Sequence, residues 1–476
     1  MTLRTIVGYT GGAYLVASAF ATTLAAQRPL EDSAAEGYAT VTAENIALTG
    51  VTLLDGTGEP ARRGQTVVIS GNRITAVGAD GTVDIPDGAE VMDLAGHTVI
   101  PGMVGLHNHL FYTAAGGRSA QLTYSAPRLY LGSGVTTVRT TGSRQPYAEI
   151  NLRDEIEAGR APGPRIHITA PYITAGGGIS QMTMIESPEQ ARRFVRYWAA
   201  EGATWLKAYT NIRTEELTAV IDEAHRQGIK VTGHLCSISF TEAVGLGIDN
   251  IEHGLATNSD YSPGRARDEC PQTLWTDAVS IDVNGPEAQA TFKAMMDAGV
   301  AMTSTLAVYE LFIQGRPTRD ARSLDAMAPA VREDYLANKA QIDEIGRPEE
   351  DFLNAMAYEK AFYRAGGVLA AGVDPTGNGG ALPGYGDQRN YELLSEAGLE
   401  PHEVVQVISA NGARVLDLFD DLGTVEAGKI ADLVVMSGDL TADPSVIRNV
   451  TVVFKDGVGY DSAKMLEDVR GRVGIS

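Results

Sequence analysis

Two histidines two residues apart, His107 and His109, close an apolar run that begins at Thr98. In an extended segment, residues at this spacing point to the same side. Two imidazoles aimed at one point can hold a divalent cation, with Zn–N distances of about 2.0–2.1 Å. Four more metal-competent side chains close other short apolar runs: Lys207, His234, His253 and Asp374. A lone histidine at such a place is most often a hydrogen-bonded core residue. A set of this size at successive strand ends is hard to produce by chance. His234 and His253 can supply ligands for a second ion near the first. Asp374 can bind the first ion through one oxygen and take a proton with the other. Neutral imidazole and carboxylate oxygen suit Zn²⁺, and Mn²⁺, Co²⁺ and Fe²⁺ also fit such donors.

Lys207 is the odd member, because an ammonium is a poor neighbour for cations. It makes sense if the amine adds CO₂ and becomes a carbamate, an anion whose two oxygens bridge two metals. Burial beside cations depresses a lysine pKa and gives the neutral amine this addition needs. The alternative is an ion-paired lysine that snorkels to the surface. Flanking Leu206 and Ala208 argue against it.

These residues need a scaffold that brings many strand ends together. Between residues 98 and 420 the chain alternates short apolar runs with amphipathic stretches. The runs start near Thr98, Val135, Arg165, Trp205, Lys230, Asn250, Val300 and Val368. Helices are expected over 187–200, opened by Ser187 and Pro188, and over 214–227, opened by Thr214-Glu-Glu. Strand–helix repeats of this number suit a (β/α)₈ TIM barrel, with a doubly wound open sheet as the runner-up. Every candidate ligand falls at the C-terminal end of a strand, where a barrel puts its catalytic groups. Long segments follow the sixth strand (255–290) and the seventh (306–350), and read as substrate loops. Both ends of the chain carry hairpin grammar, with Gly-containing turns between β-rich runs. They are expected to form a small β-sandwich from residues 46–97 and 421–476, leaving 98–420 as the inserted barrel.

The 476-residue chain has 38 Lys+Arg against 60 Asp+Glu, a net charge of −22. With 44% hydrophobic and 21% charged residues it is an ordinary globular composition. That excludes a disordered chain and a multi-span membrane protein. The acidity argues against nucleic-acid binding, which needs clustered Lys/Arg. Arg4, an apolar stretch around Ala13–Ala21 and the small residues Thr23–Ala26 make a signal peptide over 1–26. The expectation is an exported, periplasmic or secreted protein, with no stable membrane insertion after cleavage. Residues 27–45 read as a flexible leader. The two cysteines, Cys236 and Cys270, read first as buried free thiols, although one bridge is open to them in an oxidising compartment.

The string Val99-Ile-Pro-Gly-Met-Val-Gly-Leu-His-Asn-His resembles the opening motif of the amidohydrolase superfamily. The set His107, His109, Lys207, His234, His253 and Asp374 resembles its binuclear subtype with a carboxylated lysine. The tail Gly423-Thr-Val-Glu-Ala-Gly-Lys-Ile-Ala-Asp-Leu-Val-Val resembles that family's return to its small β domain. The similarity spans nearly all of residues 45–460 and comes nearest to imidazolonepropionase-like members, including prolidase-like and N-acyl amino acid hydrolases. Leu106 stands where many relatives have Asp, and Arg139-Thr-Thr-Gly departs from the usual Arg-Asp at the second strand. Neither position is a metal ligand in the family.

The resemblance implies hydrolysis of C–N bonds. Two divalent cations, zinc best, activate a hydroxide, and Asp374 acts as general base. Asp374 then returns the proton to the leaving nitrogen, and His234 or Tyr209 helps the oxyanion. N-acyl amino acids, Xaa-Pro-type dipeptides and aryl amides are the expected small-molecule substrates. A lactonase, phosphotriesterase or cyclic amidine hydrolase on the same centre, and a non-catalytic metal-binding periplasmic protein, are the alternatives. Substrate contacts are less legible. Tyr209 points the same way as Lys207, while Phe111, Tyr112 and Tyr124 follow the first strand. Arg139 either binds a substrate carboxylate or pairs with a structural acid. Gly176–Gly178 and Gly377–Gly380 read as flexible rim, His167 and Cys236 as neighbours of the site, and His97, His225 and His402 as surface residues. A homo-oligomer is left open.

Overall fold

The β-rich runs at the two ends of the chain meet in one nine-stranded sheet. The structure, a computed structural model, describes residues 29–114, 118–176, 182–316, 320–376 and 380–474. The signal segment 1–26, Gly177 and Gly178, and residues 377–379 of the second glycine-rich loop lie outside the described residues. Along the sheet the strands run Ala39–Val41, Val458–Asp461, Val450–Lys455, Leu433–Ser437, His97–Pro101, Asn45–Leu53, Arg62–Ser70 and Arg73–Ala79. Glu90–Asp93 adds to Asn45–Leu53 in parallel. One face carries Ile46, Leu48, Val67, Ile69, Leu433 and Val435, which form a core of their own. The alternate residues Ile100, Val434 and Met436 join the main core instead. Burial on both faces follows from the period of two in these strands.

The leader expected over 27–45 is corrected. Glu36–Tyr38 form a 3₁₀ turn and Ala39–Val41 an edge strand paired with Val458–Asp461. Buried Tyr38 anchors this segment: its hydroxyl donates to Asp468 at 2.5 Å and accepts from Arg128 Nε at 3.0 Å. One aromatic side chain inside an acidic, Ala-rich stretch supplies the contact that fixes it.

Eight parallel strands carry the middle of the chain: β1 (Met103–Asn108), β2 (Val135–Thr140), β3 (Arg165–His167), β4 (Trp205–Ala208), β5 (Lys230–Gly233), β6 (Asn250–Glu252), β7 (Ala301–Ser304) and β8 (Leu369–Ala371). They fall into two parallel arcs, β3-β2-β1 and β4 through β8. The strand Ile173–Thr174 extends the second arc, and Thr183–Met184 pairs with it. The result is a mixed α/β fold with parallel sheets. The first apolar run is divided between the two sheets at Gly102. A Cβ there would lie 2.1 Å from Thr136 Oγ1, so only glycine lets the backbone pass β2. At one end of the arcs, the amides of Val373 and Asp374 donate to the carbonyl of His107 at 3.2 and 2.7 Å. At the other, Ala170 N donates to Trp205 O at 3.0 Å and Thr204 N to Ile168 O at 2.9 Å.

Helices α1 (Ser125–Gly132), α2 (Pro146–Glu157), α3 (Pro188–Ala200), α4 (Thr214–Arg226) and α5 (Phe240–Leu246) follow the early strands. Ser187 caps α3 by accepting from Gln190 N at 3.3 Å, with Pro188 at the first helical position. In α4 the cap is not Thr214 itself. Asp268, from the segment after β6, accepts from Thr214 N at 2.7 Å and Oγ1 at 2.6 Å.

That segment folds back over the end of β5. It holds the short helix α6 (Leu274–Val279) and leads into α7 (Pro286–Asp297). Arg265 Nη1 donates to Ser237 O at 2.6 Å. Cys270 forms a disulfide with Cys236, with Cα atoms 4.9 Å apart. This overturns the reading of two free thiols. The 34-residue separation spans a strand, a helix and a loop, and chain spacing alone does not show that they close. The long segment after β7 is helical: α8 (Leu306–Tyr309), α9 (Ala321–Ala326), α10 (Pro329–Ile345) and α11 (Glu349–Arg364).

Candidate metal centre

All of β1 is buried, and it delivers His107 and His109 to the C-terminal mouth of the arcs. Their ring centres are 5.4 Å apart. The hydroxyl of Tyr130 fixes the backbone of His109, accepting from its N–H at 3.1 Å and donating to its carbonyl at 2.8 Å. Beside them β8 brings Asp374. Gly372 makes this approach possible, because a Cβ there would lie 2.3 Å from the His107 nitrogen. Asp374 Oδ1 is 3.1 Å from His109 Nε2 and 3.7 Å from His107 Nε2. One ligand atom from each of these three residues lies within 4.8 Å of the others.

The remaining candidates close the group. Lys207 Nζ, on β4, is 3.4 Å from His107 Nε2. The His253 ring is 4.4 Å from that of His107 and 4.3 Å from that of His234. The six residues chosen from the sequence thus form one connected cluster, in which His107, His109 and Asp374 bring ligand atoms closest together. His253 and Asp374 have positive φ, 74° and 50°. Backbone held in this region by a non-glycine residue costs about 1–3 kcal/mol, and such strain gathers at functional sites.

The donors fit a divalent cation. Burial, and next the Lys207 charge, pushes the His234 imidazole down to about 3. Burial likewise holds His107, His109 and His253 below the ordinary histidine value. These rings are therefore neutral at pH 7, the form that ligates metal. His253 Nδ1 lies 2.8 Å from Thr305 Oγ1, and its buried Nε2 has no partner among the described residues. Burial alone would raise the Asp374 carboxyl, but His107, His109 and Lys207 hold it below the usual carboxylate range. Burial brings the Lys207 amine down to about 8 despite the pull of Glu252 and Asp374.

Glu252 is a residue the sequence reading missed. Fully buried on β6, it sits 2.7 Å from His107 Nδ1 and accepts from Arg139 Nη2 at 2.5 Å and from Thr232 Oγ1. It therefore orients the His107 ring so that Nε2 faces Asp374 and Lys207. Its signal was a carboxylate at the end of the short strand Asn250-Ile251-Glu252, directly before His253. Arg139 is corrected by the same contacts. Its Nε donates to Leu106 O at 2.7 Å, Nη1 to Asn250 Oδ1 at 3.3 Å, and the guanidinium stacks on Trp205 at 4.4 Å. A side chain so fully engaged and 0% exposed has no group left for a substrate.

Around the mouth stand aromatic rings. Tyr209 is partly exposed and packs 4.8 Å from His234. Phe111 lies 4.6 Å from His109. Tyr172, Tyr309 and Trp275 were not expected. The Tyr172 hydroxyl is 3.4 Å from His109 Nε2, Tyr309 packs edge-on 5.6 Å from His253, and Trp275 stacks on Tyr309. Tyr172 lies beyond β3, and Trp275 and Tyr309 sit on α6 and α8, helices too short for a period to mark them. Tyr112 is buried and its hydroxyl accepts from Gly380 N at 3.2 Å, which directs it to the rim backbone instead of the centre. Tyr124 is exposed and stacks with Arg128. His167 pairs in register with Arg139, Cys236 is taken by the disulfide, and exposed His225 bonds Asp249 at 3.0 Å. His97 and His402 are partly exposed, on a strand of the end sheet and on a helix.

Residues 98–303 and 385–459 match the family model of the amidohydrolase family, more than half of the chain. An enamidase from Eubacterium barkeri is 22% identical over 403 residues, covering 80% of this chain and 83% of that one. Among solved structures, a putative prolidase from Bifidobacterium longum is similar at 24% identity and a TM-score of 0.63, covering 90% of this chain and 100% of its own. A Xaa-Pro dipeptidase with bound methionine is similar at 22% identity and a TM-score of 0.65, covering 88% and 100%.

Proposed function

Because this chain belongs to the amidohydrolase family, we propose that it is a binuclear metal hydrolase that cleaves amide bonds of small molecules. That it is an enzyme follows from the family, which sets aside a purely metal-binding role. The grouping of His107, His109 and Asp374, with Lys207 Nζ against His107 and the His253 ring against those of His107 and His234, carries the reading, together with a buried His253 nitrogen that has no partner among the described residues. N-acyl amino acids, Xaa-Pro-type dipeptides and aryl amides are the substrates we assign. Similarity to a putative prolidase and a Xaa-Pro dipeptidase supports the dipeptides.

Two divalent cations, zinc by the chemistry of the donors, would be held by these six residues, with Lys207 as its carbamate. Bound there, they supply the Lewis acidity that polarises a carbonyl and makes water a nucleophile near neutral pH. The chain's own residues do the rest. Lys207 is buried and reaches the neutral amine needed to add CO₂ near pH 8. Asp374 stays ionised and accepts the proton of the attacking water. It then passes that proton to the leaving nitrogen, acting first as base and then as acid. Tyr209, packed on the His234 ring, offers a hydroxyl to the oxygen that gains charge.

The same reading takes the two arcs as one (β/α)₈ barrel and the nine-stranded sheet as the β-sandwich domain of the family. The hydrogen bonds from Val373 and Asp374 to His107 support closure. The Cys236–Cys270 disulfide supports an exported chain, since such bonds persist in oxidising compartments. The test is a screen of dipeptides, N-acyl amino acids, lactones and phosphotriesters with Zn²⁺-loaded protein. Amide cleavage is expected. Turnover confined to lactones or phosphotriesters would transfer the centre to those reactions.

A further inference from the structure

Two arginines close the second strand and the turn after it, and their surroundings differ. Arg139 is bonded on all sides. Arg144 is not. Its Nε is buried with no hydrogen-bond partner, and no carboxylate among the described residues pairs with it. Its guanidinium carbon lies 4.3 Å from the centre of the Phe111 ring, and that ring packs 4.6 Å from His109. The turn that carries it is fixed at the mouth. Ser143 N donates to Ala170 O at 3.3 Å, and the backbone of Gly142 lies against the ring of Tyr172. Tyr172 in turn reaches His109.

We propose that Arg144 binds a carboxylate carried by the substrate. This rests on the reading of the centre as an amide hydrolase and narrows it. The amides taken are those of N-acyl amino acids and dipeptides, which carry a free carboxylate, in preference to neutral aryl amides. A guanidinium offers a planar fork that matches a carboxylate, and an ionised pair makes the stronger kind of hydrogen bond. A partly buried cation without a partner is costly to keep unless something fills it. The acid nearest in sequence does not fill it. Glu149, five residues on, is pushed up to about 8 by burial and is neutral at pH 7. The Arg144 charge instead bears on His109, Tyr172 and Tyr209, the residues that border the reacting point. Phe111 supplies the flat surface on which the guanidinium rests.

The experiment compares N-acetyl-L-amino acids and Xaa-Pro dipeptides with their C-terminal N-methylamides, using Zn²⁺-loaded wild type, Arg144→Gln and Arg144→Lys. Wild type should prefer the carboxylates. In Arg144→Gln their kcat/KM should fall about 10- to 100-fold, mainly through KM, while the N-methylamides are unaffected. Arg144→Lys should recover part of the preference. Equal losses on both substrate sets, a preference kept in Arg144→Gln, or no preference in wild type each overturn the assignment while leaving amide hydrolysis standing. If no amide in the panel is cleaved, the hydrolase reading falls instead. Arg144 is then judged by calorimetric titration with N-acetyl-L-methionine, where weaker binding to Arg144→Gln supports the clamp and equal or absent binding rejects it.

Discussion

Asp374 carries the proton in this account, and its environment says why it can. Burial works against its charge, but two imidazoles and Lys207 keep it ionised. Asp374→Asn should still bind metal and lose about 10²- to 10⁴-fold in kcat, read by metal analysis beside kinetics. Glu252 acts one step back. Glu252→Gln removes the acceptor that orients His107, and should cost about 10- to 100-fold in metal affinity or activity. Arg139→Met leaves that carboxylate buried without its cation. Denaturant unfolding should register a loss of about 3–5 kcal/mol, which a substrate-binding role for Arg139 would not produce. At this scale the sequence made the ligands legible because histidine, lysine and aspartate at strand ends are out of place. It left Glu252, Tyr172 and Thr305 hidden. Their meaning comes from contacts across the chain, such as the 145 residues between His107 and Glu252.

The strands were legible as runs, because parallel strands buried on both faces leave continuous apolar stretches. The end of the first run was not. The sequence shows one apolar segment through Pro101 and Gly102, where the chain leaves the end sheet for β1. Pairing of the cysteines was hidden for the same reason as the Asp268 cap on α4. Both depend on how the segment after β6 folds back over β5. That segment carries Trp275 to Tyr309 at the edge of the centre. The disulfide closes a loop of 34 residues, for which chain entropy gives about 3–4 kcal/mol. Reduction, or Cys236→Ala, should lower the free energy of unfolding by that order. A thermal unfolding curve that does not move on reduction would remove the disulfide from the account of this loop.

Across the whole molecule the charge of −22 is spread over a surface where most acids are exposed or ion-paired. A few are neither. Burial pushes Glu359, on α11, up to about 8, well above its unfolded value. A carboxyl raised in this way contributes stability that is complete at low pH and declines as pH rises towards the folded value. Wild type should therefore lose melting temperature relative to Glu359→Gln as pH goes from about 5 to about 8. Parallel profiles for the two proteins would contradict that burial. The general architecture, parallel strands between two β-rich ends, could be read from periodicity alone. What the assembled centre holds is measured by elemental analysis. Protein loaded with Zn²⁺ in the presence of bicarbonate and then desalted should retain about two ions per chain, and Lys207→Ala should lose them together with activity. Wild type with metal near zero, or Lys207→Ala with a full complement and full activity, would contradict the binuclear hydrolase proposed here.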